Sequence, residues 1–150
     1  MDLILWRHAD AEDGVPDAGR KLTAKGEKQA QLMGYWLKSK LPDQFRVLAS
    51  PTQRTLQTAQ ALTKKFETVA AIGPGADAIS VLVAAGWPDA KGAVVVVGHQ
   101  PTLARVAAFL LAGVESDWSM KKGSVWWLSN RVRQDETQTV LRVMMSPDFL

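Results

Sequence analysis

Five consecutive residues, Ala93-Val94-Val95-Val96-Val97, offer no polar side chain to either face and run into Gly98. An unbroken β-branched run of this kind reads as a strand buried on both sides, which requires a sheet covered by helices above and below. The rest of the chain fits that demand. Leu3 to Trp6 and Arg46 to Ala49 read as further strands, and helical segments fall between them. Strand and helix in alternation argue for an α/β fold with a mostly parallel central sheet in three layers, α/β/α.

The helices are encoded with differing sharpness. From Thr23 to about Lys40, Ala30, Met33 and Leu37 recur at helical spacing behind Thr23 as a cap. A second helix is expected from Pro51 to about Phe66, with Leu56, Ala59 and Leu62 or Thr63 inward. Ser50 would be its N-cap, Pro51 its first residue and Gln53 the partner in a capping box. Thr68 to Ile72 reads as a short strand, Gly73-Pro74-Gly75 as a turn, and Ala76 to Ala85 as a helix. Pro101 is expected to open a helix to about Ala112. Ser124 to Asn130 and Thr137 to Met145 would form two last strands around a charged, solvated tip at Arg131 to Arg133.

A chain of 150 residues that is 47% hydrophobic can bury one sizeable core, so residues 1–150 are expected to form a single domain. Eighteen basic against fifteen acidic residues give a formal charge of +3, and the basic residues are scattered, which argues against nucleic acid as partner. Without cysteine, thiolate metal sites and thiol nucleophiles are ruled out. The Met1-Asp2 start enters a strand pattern directly, and no apolar run approaches a membrane span, so a cytoplasmic protein without membrane association is expected. Of the six tryptophans, Trp36 lies in a helix, Trp126 and Trp127 would face opposite sides of a strand, and Trp87 and Trp118 near loops read as packing residues or as borders of a site.

The chain's only histidines, His8 and His99, each stand where a strand ends. In an open parallel sheet, strand ends line the ligand crevice. Arg7 precedes His8, and Arg54 sits in the first turn after Ser50. If the three strands are neighbours, Arg7, His8, Arg54 and His99 surround one point. Two helix N-termini would aim there as well, and the shared property is binding of an anion such as phosphate or sulfate. Arginine forks suit phosphate oxygens, and an imidazole among arginines is disfavoured from taking a proton, which leaves a lone pair for attack. A metal held by both histidines and Asp10 would be repelled by Arg7 and Arg54, so no metal or other cofactor is expected.

These residues fall in motifs that resemble the histidine phosphatase superfamily, the phosphoglycerate mutase-like fold. Arg7-His8-Ala9 is similar to its Arg-His-Gly signature, with Ala for Gly. Leu22-Thr23-Ala24-Lys25-Gly26 resembles its Leu-Thr-x-x-Gly element. Ser50-Pro51-Thr52-Gln53-Arg54-Thr55-Leu56-Gln57-Thr58-Ala59 resembles Ser-x-x-x-Arg-x-x-Gln-Thr-Ala, and Gly98-His99 falls at the second histidine. The short length, Arg7-His8-Ala9-Asp10 and Arg20-Lys21-Leu22-Thr23 most resemble the SixA-type phosphohistidine phosphatases.

The resemblance implies a metal-independent phosphatase in which His8 takes the phosphoryl group and water removes it, with Arg7, Arg54 and His99 holding the oxygens. Arg20 would assist with substrate binding. Asp10 is read as a salt-bridge partner, and Ser50 and Thr58 as cap, packing or hydrogen-bonding residues. Where many relatives carry a general acid, this chain has Ile72-Gly73-Pro74-Gly75 and no carboxylate. Asp17 is the possible general acid, with Asp77 more remote. Lack of a clear acid favours a phosphohistidine-bearing phosphotransfer protein as substrate, because a protonated imidazole leaves without further help. The alternatives are a small-molecule phosphomonoesterase of the same fold and a noncatalytic phospho-binding module.

Overall fold

A computed structural model describes residues 1–150. In chain order it contains β1 (Asp2–Arg7), α1 (Ala24–Lys40), β2 (Phe45–Ala49), α2 (Gln53–Gln60), β3 (Glu67–Thr68), α3 (Ala78–Ala85), β4 (Ala93–Gly98), α4 (Thr102–Ala112), β5 (Val125–Arg133) and β6 (Glu136–Met145). Six strands form one sheet in the order β3-β2-β4-β1-β5-β6. β1 to β4 run parallel, while β5 is antiparallel to β1 and β6 to β5.

The Ala93-to-Val97 run is β4, central in the sheet and buried at every position. Alternation sends Val94 and Val96 into a core shared with Leu3, Leu5, Val81 of α3 and Val106 of α4. Val95 and Val97 point the other way, to Ile4, Trp6 and α1 residues Met33 and Leu37. The two apolar layers explain why this strand tolerates no polar side chain, and the fold is the expected mostly parallel α/β/α sandwich. Trp126 and Trp127 divide between the two cores. Trp87 packs on the first core, and Trp118 lies with its ring 6.1 Å from that of Trp126. No helix is long and apolar enough to cross a membrane.

α1 starts as its sequence indicates, with the Thr23 hydroxyl accepting from the Gly26 amide and Ala30, Met33 and Leu37 buried. Gly26 does a second job. A Cβ there would sit 1.9 Å from the Asp10 carbonyl oxygen, so only glycine lets the first turn of α1 press against the loop that follows His8.

Several boundaries differ from expectation. α2 begins at Gln53, not Pro51, and its cap is Thr52, whose hydroxyl accepts from the Thr55 amide; Ser50 does not cap it. The Ser50 amide instead continues the sheet contact by donating to the Val97 carbonyl, which pushes the helix start two residues later. α2 also ends at Gln60 rather than near Phe66, where the Ala61 carbonyl meets the close approach of Gly34 from α1. The expected strand Thr68 to Ile72 shrinks to Glu67–Thr68 and becomes a 3-10 turn over Ala70–Ile72. The last hairpin is longer than expected. β5 continues through exposed Arg131 and Arg133 and β6 starts at Glu136, so the two are joined by a two-residue turn at Gln134 and Asp135, whose φ values of 52 and 64° match the twist of the flanking strands.

Candidate active site

The sheet order brings the predicted residues together. β2 and β1 flank β4, with Ala49 opposite Val97 and Arg7 opposite Gly98, so the carboxyl ends of three neighbouring parallel strands deliver Ser50, His8 and His99. This is where an open parallel sheet offers a crevice. The imidazoles of His8 and His99 stand 5.4 Å apart between ring centroids, tilted by 57°. Both residues are buried, with 8% and 4% of their surface exposed. Arg54, 4% exposed, enters from the first turn of α2.

His8 has one assignable proton. Its Nδ1 lies 2.8 Å from the Ala9 carbonyl oxygen, which can only accept, so Nδ1 carries the hydrogen and the lone pair is on Nε2. Burial pushes its pKa down to about 4, with Arg54, Arg7 and Arg20 adding to the effect against the Ala9 hydrogen bond. His99 is pushed down to about 3, first by burial and then by His8 and Arg54, while Asp17 opposes the shift. Both rings are therefore neutral at pH 7. The backbone of the His8 loop is clamped as well, the Ala9 amide by the Thr58 hydroxyl at 3.1 Å and the Asp10 amide by Gln29 Oε1 at 2.9 Å.

The arginines are positioned by the chain rather than by one another. Arg7 donates to the Met120 carbonyl at 2.6 Å, and burial lowers its pKa. Arg54 donates to the Asp17 carbonyl at 2.9 Å and to its carboxylate at 3.1 Å. Arg20 reaches the other oxygen of the same carboxylate at 3.1 Å and the Glu12 carbonyl at 2.6 Å. The Nε–H groups of both Arg7 and Arg54 are sealed from water and have no acceptor. An unmet buried donor costs about 1–3 kcal/mol, so each of these guanidinium groups is held in place with part of its donor capacity unpaired.

Asp17 lies in the loop after His8, in a 3-10 turn packed against α2. Hydrogen bonds from Arg20 and then Arg54 hold its carboxyl below the usual range, so in the free protein it is an anion and carries no proton to donate. Asp77 is taken up in capping α3, where it accepts from the Ser80 amide. Asp10 forms the surface pair expected of it, with Lys122 at 3.0 Å, and accepts from the Thr23 hydroxyl at 2.8 Å. One contact had no counterpart in the sequence reading. The Ser50 hydroxyl lies 2.7 Å from His99 Nε2. Its signal was available only through strand register, since Ala49 opposite Val97 places Ser50 beside the end of β4.

Comparison with known proteins agrees with this geometry. The sequence pattern of the histidine phosphatase superfamily (branch 1) matches residues 3–76. Phosphohistidine phosphatase SixA of Escherichia coli (strain K12) is 30% identical over 122 residues, covering 75% of this chain and 76% of that protein. A solved structure of the protein histidine phosphatase SixA complexed with tungstate superposes with a TM-score of 0.78 at 24% identity, covering 99% of both chains. The phosphoserine phosphatase of Entamoeba histolytica, an H9A mutant in complex with phosphoserine, shares the fold with a TM-score of 0.71 at 17% identity, over 99% of this chain and 98% of that one. With the ordered motifs, the paired histidines at neighbouring strand ends and these matches together, the chain belongs to the histidine phosphatase superfamily and is a SixA-like phosphatase.

Proposed function

We propose that this protein hydrolyses phosphohistidine on a phosphotransfer protein, carrying the phosphoryl group transiently on His8. The observation that carries this reading is the state of His8, a buried neutral imidazole whose Nδ1–H is tied to the Ala9 carbonyl and whose Nε2 lone pair is free. In the first step that lone pair forms a bond to phosphorus as the P–N bond of the substrate breaks. The bonding pair goes to the substrate ring, which leaves as neutral imidazole when its other nitrogen already carries a proton. His8 keeps its Nδ1–H throughout, so the phosphorylated ring is a cation and a good leaving group in turn. Water then attacks phosphorus, the P–N electrons return to Nε2, and the product leaves as dihydrogen phosphate carrying both protons of the water.

Arg7, Arg54 and His99 would hold the equatorial oxygens, and Arg20 would assist at the rim. The two guanidinium groups supply the positive charge that a divalent metal supplies elsewhere, and the reaction is proposed to run without one. Preference for the P–N bond is supported by Asp17. An ester needs an acid to protonate its alkoxide, whereas both oxygens of the Asp17 carboxylate are taken up by Arg20 and Arg54. The kinship with E. coli SixA supports the substrate class, and the tungstate in the SixA structure of similar fold supports an oxyanion in the pocket.

Turnover of a phosphohistidine-bearing protein beside a panel of phosphate esters, with and without a chelator, tests this. The expected outcome is preference for phosphohistidine, unchanged by the chelator and lost in His8→Ala. Preference for the esters would overturn the substrate assignment.

A further inference from the structure

Ser50 is fully buried, yet the cap of α2 is Thr52, so capping does not account for it. It is held from two sides: its amide donates to the Val97 carbonyl at 3.1 Å, and its carbonyl accepts from the fully buried Thr55 hydroxyl at 2.6 Å. The one partner of its own hydroxyl is His99 Nε2 at 2.7 Å. The other ring nitrogen of His99, Nδ1, has no protein partner and is not sealed from solvent.

We propose that Ser50 is a positioning residue that sets the tautomer of His99. Its hydroxyl donates to Nε2, which keeps the single proton of the neutral ring on Nδ1 and turns that N–H toward the bound oxyanion. Two features of the geometry require this direction. The buried Ser50 O–H has no other acceptor, so accepting from His99 would leave its own proton unsatisfied. A neutral imidazole has one donor and one acceptor. If Nε2 carried the proton, it would be spent on Ser50, and the Nδ1 lone pair would face the anion and repel its oxygen. The lone serine hydroxyl thus decides whether His99 attracts or repels a phosphoryl group.

Resting on the reading of His99 as an oxyanion ligand, the idea has a readout that does not depend on turnover. Long-range proton–nitrogen correlation spectra of the full-length protein at pH 7 report the tautomer of each ring, and with two histidines the assignment follows from a His8→Asn spectrum. The expected result is His99 protonated on Nδ1 alone. Ser50→Ala should convert it to a tautomer mixture and weaken tungstate binding about three- to tenfold, the worth of one hydrogen bond. Ser50→Cys keeps the volume but donates weakly and should resemble Ser50→Ala, where a merely steric role would leave it like wild type. His99 protonated on Nε2 in the wild type overturns the proposal without any variant, as does an unchanged tautomer and tungstate affinity in both variants. A protein with the expected tautomers but no phosphohistidine turnover would sink the proposed function and leave this assignment standing; an active enzyme with Nε2–H would do the reverse.

Discussion

Lowering the pH from 6.5 to 5 should destabilise this protein steeply through its two histidines. The folded state holds His8 at a pKa of about 4 and His99 at about 3, against 6.5 for an unhindered histidine. Between those values the unfolded chain binds two protons that the folded chain refuses. The stabilisation from keeping both rings neutral is therefore fully present above about pH 6.5 and is lost as pH falls toward 4 and 3. One proton refused is worth roughly 1.4 kcal/mol per pH unit, and allowing for partial titration near 6.5 the pair contributes a loss of about 3 kcal/mol between pH 6.5 and 5. That is a large share of the 5–15 kcal/mol typical of a domain. The window stops at pH 5 because Asp10 and Asp17, both held below the usual carboxylate range, lose their own stabilising contribution only at lower pH. Urea unfolding followed by tryptophan fluorescence across pH 7 to 5 measures the slope, and His8→Asn and His99→Asn should each remove about half of it. A flat profile, or a slope that survives in the double variant, would refute the claim that both rings are buried neutral.

Arg54→Lys removes the fork beside His8 while keeping a charge, and single-turnover decay of a phosphohistidine substrate should slow by about 10²–10³-fold, as for loss of one preorganised oxyanion donor. Asp17→Asn frees Arg54 and Arg20 from their shared carboxylate. Phosphohistidine turnover should persist in this variant, far from the ~10²–10⁴-fold fall that follows removal of a general acid, and a fall of that size would make Asp17 the acid. Gly26→Ala places a methyl carbon 1.9 Å from the Asp10 carbonyl oxygen, and thermal unfolding should report a loss of about 1–3 kcal/mol from the forced separation of α1 and the His8 loop.

Local pattern was enough for the layers and for marking the candidate site residues. The Ala93-to-Val97 run has no polar face and so had to lie between two apolar layers, while Ala30, Met33 and Leu37 share one helical face by spacing alone. The placing of the candidates Arg7, His8, Arg54 and His99 at strand ends and in the first turn of α2 was legible because strand ends and helix starts are marked locally, and because their motifs occur in a known order. The boundaries of α2 and β3 were not legible. Whether Ser50 caps a helix or extends a sheet contact depends on which carbonyl stands opposite, and that carbonyl belongs to Val97, far away in sequence.

The same distinction holds at the site. The amino-acid sequence by itself determined which groups are candidates for the proposed phosphoryl chemistry, since residue type sets pKa range, charge and hydrogen-bonding capacity. Only the tertiary structure decided which form those groups take. Burial holds both imidazoles neutral, the Ala9 carbonyl assigns the His8 proton to Nδ1, and Arg20 and Arg54 hold the Asp17 carboxyl below the usual range. The Ala9 and Arg20 contacts lie within three residues of the groups they act on, but the desolvation of both rings and the Arg54 contact to Asp17 arise only when distant segments pack together, and no spacing within the chain encodes those.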